Sequence, residues 1–225
     1  MKFHIITIFP DILNSYLNES ILKRALNKKI ITIKAHNLRD WSQDKHQTID
    51  DTPYGGGAGM LMKIEPIYKA VKHLKTLTKK TPKKQKRIIL LSATGKRWSQ
   101  KMAKKYAKLD ELIFICGRYE GVDARVKNFI DEEISIGDYI LTGGELPAMI
   151  IIDSITRLLP GVLGNEISLN EESHTTNNLG EYPQYTRPEI FKVGQKKYTV
   201  PKILLSGNHR KIKEWQQKNQ KQLSN

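Results

Sequence analysis

A chain of 225 residues has room for one α/β core with a small appendage, and 39% hydrophobic with 27% charged residues is a globular composition. No window approaches the ~18–20 consecutive apolar residues of a membrane span, and the single cysteine, Cys116, excludes a disulfide framework or a cysteine-cluster zinc site, which points to a reducing cytoplasm. Lys and Arg total 38 against 23 Asp and Glu, and the net charge of +15 points to a polyanionic partner such as nucleic acid.

Residues 3–9 are a short apolar run met at once by Pro10 and Asp11, which reads as a first strand rather than a signal peptide. The spacing of Ile12, Leu13, Tyr16, Leu17, Ile21 and Ala25 predicts a helix over 10–26. A strand follows at 30–33, a helix over 65–77 (Ile67, Ala70, Val71, Leu74) and a solvated basic loop over 79–86. Strands at 88–91, 112–116 and 134–136 then alternate with helices over 99–109 and 122–130, and a last helix covers 145–159. Short apolar strands separated by helices predict an α/β fold, a parallel sheet with helices on both faces.

After Pro160 the periodicity stops. Residues 161–180 are rich in Asn, Ser and Thr and read as a flexible linker. Residues 181–225 are too few to bury much core, and their clear element is a helix opening near Asn208, so a small helical domain is expected there beside a main domain over 1–160. Charge is segregated in the same way. Residues 63–108 hold 16 basic residues and one acid, residues 192–225 hold nine and one, and residues 120–189 hold 13 acids and four basic residues. Basic tracts flanking an acidic centre suit a nucleic-acid ligand with chemistry at the centre.

Three of the strands run into glycine-containing turns, Ser92-Ala-Thr-Gly95, Gly117-Arg-Tyr-Glu-Gly121 and Gly137-Asp-Tyr-Ile-Leu-Thr-Gly-Gly144. In a parallel sheet such turns lie at the carboxyl edge, where open α/β folds bind ligands, and glycine lets the backbone approach closely. A dinucleotide-type Gly-x-Gly-x-x-Gly is lacking, Thr94-Gly95-Lys96-Arg97 lacks the rest of a P-loop, and the six histidines form no His-Glu-x-x-His pair. Cys116, inside an apolar strand, reads as core rather than nucleophile. Composition and spacing alone therefore reach a nucleic-acid-associated α/β enzyme with a small-molecule cofactor whose identity they leave open.

Six segments go further. Ile115-Cys-Gly-Arg-Tyr-Glu-Gly-Val-Asp-Ala-Arg125, Ser135-Ile-Gly-Asp-Tyr-Ile-Leu-Thr-Gly-Gly-Glu-Leu-Pro-Ala148, Asp51-Thr-Pro-Tyr-Gly-Gly-Gly-Ala-Gly-Met60, Pro160-Gly-Val-Leu-Gly164, Tyr185-Thr-Arg-Pro188 and Leu204-Leu-Ser-Gly-Asn-His209 closely resemble the bacterial tRNA (guanine-N1)-methyltransferases, in one order from end to end. That family belongs to the SPOUT methyltransferases. The resemblance implies a parallel sheet tied in a trefoil knot, an obligate homodimer, and methyl transfer from S-adenosyl-L-methionine to N1 of guanosine 37 beside the tRNA anticodon. It implies a donor-binding SPOUT domain over 1–160, the linker over 161–180 and a small helical tRNA-binding domain over 181–225. Another SPOUT RNA methyltransferase and a non-catalytic RNA-binding protein are the alternatives. Intact glycines in all three loops argue against the latter.

N1 of guanine must lose a proton as the methyl arrives, and negative charge then develops on O6. The family's base is an aspartate in an acid–Asp–Ser motif, and here those positions read Glu171-Glu172-Ser173, so Glu172 is the expected base, one methylene longer. Arg157 matches the arginine that stabilises charge at O6. Whether a divalent ion such as Mg2+ assists this proton removal is left open by the resemblance. For the donor, the family's contacts map onto Leu91, Ser92, Gly95, Gly117, Tyr119, Glu120, Gly121, Ser135, Ile136, Tyr139, Leu141, Gly143, Gly144 and Pro147. For tRNA they suggest Asp50, Gly55 and Gly59 of the glycine loop, Arg187, Asn208 and His209, the last of which could equally cap the terminal helix. Ala58 and Ala93 stand where the family usually has proline, which loosens two loops slightly.

Overall fold

The N-terminal apolar run forms β1 (Lys2–Thr7), a strand buried on both faces, as the interior of a helix-covered parallel sheet requires. The computed structural model describes residues 1–164 and 182–220. After β1 come a 3-10 turn (Pro10–Leu13), α1 (Asn14–Leu17), α2 (Ser20–Asn27) and β2 (Thr32–Asn37). A two-residue pair, β3 (Asp50–Asp51) with β4 (Leu61–Met62), leads into α3 (Ile64–Leu77). There follow β5 (Lys86–Arg97), α4 (Gln100–Tyr106), β6 (Glu111–Cys116), a 3-10 segment (Ala124–Phe129), β7 (Glu132–Ser135) and α5 (Glu145–Thr156). The five main strands lie in the order β2-β1-β6-β5-β7, every pairing parallel.

Helices cover both faces of this sheet. On one, Phe3, Ile5, Leu112 and Phe114 pack with Ala25 of α2, Ala103 and Tyr106 of α4, and Ile151, Ile152 and Ile155 of α5. On the other, Ile6, Leu90, Ile113 and Ile115 meet Ile67, Val71 and Leu74 of α3. Each such aliphatic side chain contributes about 1.5–3 kcal/mol when removed from water, so the strand faces and the matching helix stripes account for the layered architecture.

Four local expectations are corrected. The helix expected over 10–26 is three pieces: the Asn18 side chain bonds back to the Asn14 carbonyl, and Ser20 restarts the chain at φ +48°. The strand expected at 30–33 begins at Thr32 and runs to Asn37, because Ile30 and Ile31 are still hydrogen-bonded to the Ala25 carbonyl at the end of α2. The helix expected over 122–130 is 3-10, opened by Asp123 accepting from the Arg125 N–H, and Val126 is its one buried residue. The strand expected at 88–91 continues through Ser92–Gly95 to Arg97, with an irregularity against β7 between Leu91 and Lys96. A side chain at Gly95 would stand 2.5 Å from the Ile134 nitrogen, so the missing Cβ is what lets β5 stay close to β7.

The chain divides into two compact units, Met1–Gly164 and Asn165–Asn225. The second is not purely helical. A hairpin of β8 (Ile190–Val193) and β9 (Lys196–Thr199) turns at Gly194, at φ +58°, and precedes a 3-10 turn (Lys202–Leu205) and α6 (His209–Lys218).

Candidate active site

The carboxyl ends of β6 and β7 flank the irregular stretch of β5 after Leu91, and that stretch and the segments that leave β6 and β7 enclose one cavity of about 580 Å3. That is the edge and the size at which open α/β sheets hold small ligands. Of the fourteen residues expected to bind the donor, thirteen line it. Leu91 and Ser92 come from β5, and Gly117, Tyr119, Glu120 and Gly121 follow β6. Ser135, Ile136, Tyr139, Leu141, Gly143, Gly144 and Pro147 run from β7 into α5. Gly95 is not among the lining residues; its role is the close contact of β5 with β7.

The walls combine apolar side chains (Leu91, Ile136, Leu141, Pro147) with bare backbone. The Gly144 N–H donates to the Gly117 carbonyl at 2.9 Å, so two of the glycine loops touch directly. A Cβ on Gly144 would lie 2.7 Å from the Cys116 Cα. Tyr119 sits at φ +58°, in the left-handed region that few non-glycine residues occupy, which turns its ring into the rim of the cavity. Cys116 is buried beneath this floor, and burial, with the Glu145 carboxylate second, pushes its thiol well up, as suits a core residue.

Sequence reasoning missed Arg118 and Glu145. Arg118 lines the cavity, and its Nε donates to Glu145 Oε2 at 3.0 Å. Both were visible as charged residues inside glycine motifs, but their 27-residue separation hid the pairing.

The residues expected at the RNA divide. The 55–62 stretch is stitched to the cavity rim: Glu120 N–H donates to the Met60 carbonyl at 3.1 Å and Met62 N–H to the Gly121 carbonyl at 2.9 Å. Asp50 pairs with Met62, and a Cβ on Gly59 would meet the Glu120 side chain at 2.4 Å, so both stand beside the rim. Gly55 has nothing within 4 Å of its would-be Cβ and lies in the open loop. Arg157 is not brought to the cavity. It caps the far end of α5, a helix of 12 residues that begins at the cavity floor and is therefore about 18 Å long. Glu171, Glu172 and Ser173 lie outside the described residues. In the second unit, Asn208 is the N-cap of α6, accepting from the Lys211 N–H at 3.1 Å, while His209 is the helix's exposed first residue and Arg187 precedes Pro188 in an exposed stretch. The cap thus falls to Asn208, not to His209.

A parallel α/β sheet with a glycine-floored cavity at its carboxyl edge is the architecture in which open α/β folds place a small-ligand site. The family model for tRNA (guanine-1)-methyltransferase TrmD matches residues 1–225. The chain is 54% identical to the tRNA (guanine-N(1)-)-methyltransferase of Dictyoglomus turgidum over 97% of its own length and 84% of that protein's. It is 53% identical to the enzyme of the same name from Clostridioides difficile, over 96% and 90%. The crystal structure of the tRNA (m1G37) methyltransferase from Aquifex aeolicus superposes with a TM-score of 0.77 at 37% identity, covering 96% of this chain and 87% of that one. The chain belongs to the tRNA (guanine-1)-methyltransferase family, as its motifs indicated.

Proposed function

We propose that the protein transfers a methyl group from S-adenosyl-L-methionine to N1 of guanosine 37 in tRNA, in the cytoplasm, as a knotted SPOUT-type homodimer. The observation that carries this reading is the meeting of the 117–121 and 137–144 glycine loops with the irregular stretch of β5 after Leu91 in one cavity, in a chain that matches the family over its full length. The cavity suits the donor: apolar walls for a purine, close-approaching backbone for its sugar and amino-acid portions, and the Glu120 carboxylate near a cationic ligand. Bound there, the donor supplies an electrophilic methyl carbon on a sulfonium that leaves as a neutral thioether.

The chain's own residues do the rest. The cavity aligns the acceptor with the methyl carbon. Glu172 takes the N1 proton, and Arg157 faces O6 as charge develops there. Within one chain Arg157 stands a helix length from the cavity floor, which supports a site completed by a second copy. An apolar face supports the homodimer too. Leu146 and Ile150 of α5 are 60% and 45% exposed, and α5 packs against the 10–13 turn that carries exposed Ile12. Tyr16, bonded to Asp153, extends that face. Solvent-exposed apolar side chains grouped in this way mark protein interfaces.

The test is incubation with unmodified tRNA and the donor, followed by mass mapping of nucleosides. The expected product is 1-methylguanosine at position 37. A ribose methyl, or a methyl at another position, would point to a different SPOUT activity. No product and no donor binding would leave an RNA-binding protein.

A further inference from the structure

A buried polar chain that the proposed reaction does not use runs between the two glycine loops. Glu145, 1% exposed, opens α5 directly after Gly143 and Gly144. Its Oε2 accepts from Arg118 Nε and lies 3.0 Å from Nη2, and its Oε1 accepts from the Thr7 hydroxyl at 2.6 Å. Arg118 Nη1 also donates to the Thr142 carbonyl at 3.2 Å, and the guanidinium lies 4.8 Å from the centre of the Phe9 ring. The Thr7 oxygen accepts in turn from the Phe9 N–H at 2.9 Å. One carboxylate therefore ties the end of β1, the loop after β6 and the loop before α5 to each other.

Folding alone gives little reason for this arrangement. Taking an Arg–Glu pair out of water costs about as much as the attraction returns, and apolar residues of the same volume commonly stabilise a core as well or better. The geometry explains it differently. Arg118 stands between the cavity residues Gly117 and Tyr119, and Thr142 between Leu141 and Gly143. A Cβ at Gly143 would fall 2.2 Å from Arg118 Nε, so the arginine side chain packs directly against bare backbone. The planar fork sets both the spacing and the angle of the two loops, which a lysine's single point charge cannot do.

We propose that Arg118 and Glu145, backed by Thr7, are positioning residues that lock the 137–144 loop against the 117–121 loop at the spacing the methyl donor requires. The inference rests on the donor assignment above. Because the guanidinium is engaged by Glu145 and Thr142, its work is geometric; it does not serve as a cation for the ligand. The lock acts on donor affinity and leaves tRNA affinity alone.

The experiment is calorimetric binding of S-adenosylmethionine to the full chain, with thermal melting and steady-state methylation alongside. The variants are Glu145→Gln, Arg118→Lys, Thr7→Val and Thr7→Ser. Glu145→Gln and Arg118→Lys should weaken donor binding by about ten- to a hundredfold, the donor KM rising in step while kcat and the tRNA KM stay within about threefold. Thr7→Val should show a smaller loss in the same direction, and Thr7→Ser, which keeps the hydroxyl, should recover it. A fall in melting temperature with donor affinity within about twofold of the parent overturns the proposal, because a strut that only holds the fold moves the first and not the second. Should Glu145→Gln not fold, the Thr7 pair decides: equal donor affinity in Thr7→Val and Thr7→Ser overturns it as well. A parent protein that binds no donor overturns the donor assignment itself and this inference with it.

Discussion

His4 and His36 face each other from neighbouring parallel strands, Nδ1 to Nε2 at 2.9 Å, each 8% exposed. His4 Nε2 reaches Glu111 Oε1 at 3.0 Å, and the His36 ring lies 6.2 Å from the Trp41 ring, with Lys34 and His73 near enough to act on its charge. Burial first, then His4, pushes His36 down to about 4 from 6.5. Burial lowers His4 too, against the opposing pull of Glu111. The unfolded chain therefore binds protons between pH 6.5 and 4 that the folded chain refuses, so stability is complete above pH 6.5 and falls as the pH drops through that window. For His36 the loss is on the order of 3 kcal/mol. Melting temperatures measured from pH 8 to 4 should decline for the parent and be visibly flatter for His36→Gln. Parallel curves would show that this histidine does not carry the effect.

Two cavity-edge glycines predict different failures. Gly144→Ala puts a methyl 2.7 Å from the Cys116 Cα and 3.1 Å from the Gly117 nitrogen, so it forces the cavity floor apart. Gly95→Ala presses on the Ile134 nitrogen at 2.5 Å and so on the β5–β7 contact. Backbone displacement of this kind costs about 1–3 kcal/mol. Both should lower the melting temperature, but Gly144→Ala should lose donor binding out of proportion to stability, while Gly95→Ala should lose the two together. Calorimetry beside thermal melting separates them, and equal behaviour of the pair would contradict the division.

The contrast between these glycines shows how far residue order alone reaches. Helix α3 was legible because Ile67, Ala70, Val71 and Leu74 recur at helical spacing, and β6 because residues 112–116 are an unbroken apolar run. The extension of β5 past Leu91 was not, because its partner, β7, lies about forty residues further on and Gly95 resembles a turn former until that partner is in view. The hairpin of β8 and β9 was hidden because its side chains are exposed throughout, leaving no in-and-out alternation to read. For the cavity, the 117–121 and 137–144 glycine loops were visible one at a time. Their closure through Arg118 and Glu145 depends on the sheet order, which no local pattern encodes.

The exposed apolar face of α5 makes the oligomeric state a direct test. Ile150→Asp and Leu146→Asp replace solvent-facing side chains that the described part of the chain does not cover, so the folded monomer should tolerate them. A dimer closing over that face should not, since a buried unpaired carboxylate is costly. Light scattering should show the mass halved in either variant with helical content retained, and methylation should be lost with it. Active protein that scatters as a monomer would exclude a site shared between copies.

The sharpest departure of this chain from its family motif is the carboxylate expected to take the guanine N1 proton. Glu172 stands where the motif has aspartate, with Glu171 before it and Ser173 after. Glu172→Gln keeps the size and the hydrogen-bonding reach of the side chain but cannot accept a proton. If Glu172 is the base, turnover should fall by about 10²–10⁴-fold, the usual cost of losing a positioned base. Donor binding should be untouched, because the described cavity wall is built without this residue. Glu172→Asp shortens the side chain by one methylene to the motif's own residue and should retain or raise kcat. Glu171→Gln is the comparison and should be mild. Single-turnover methylation of tRNA by the four proteins decides among the outcomes. A crippled Glu171→Gln beside a normal Glu172→Gln shifts the base by one position. Full activity in both removes the carboxylates from the chemistry and hands the proton to water or to an RNA phosphate.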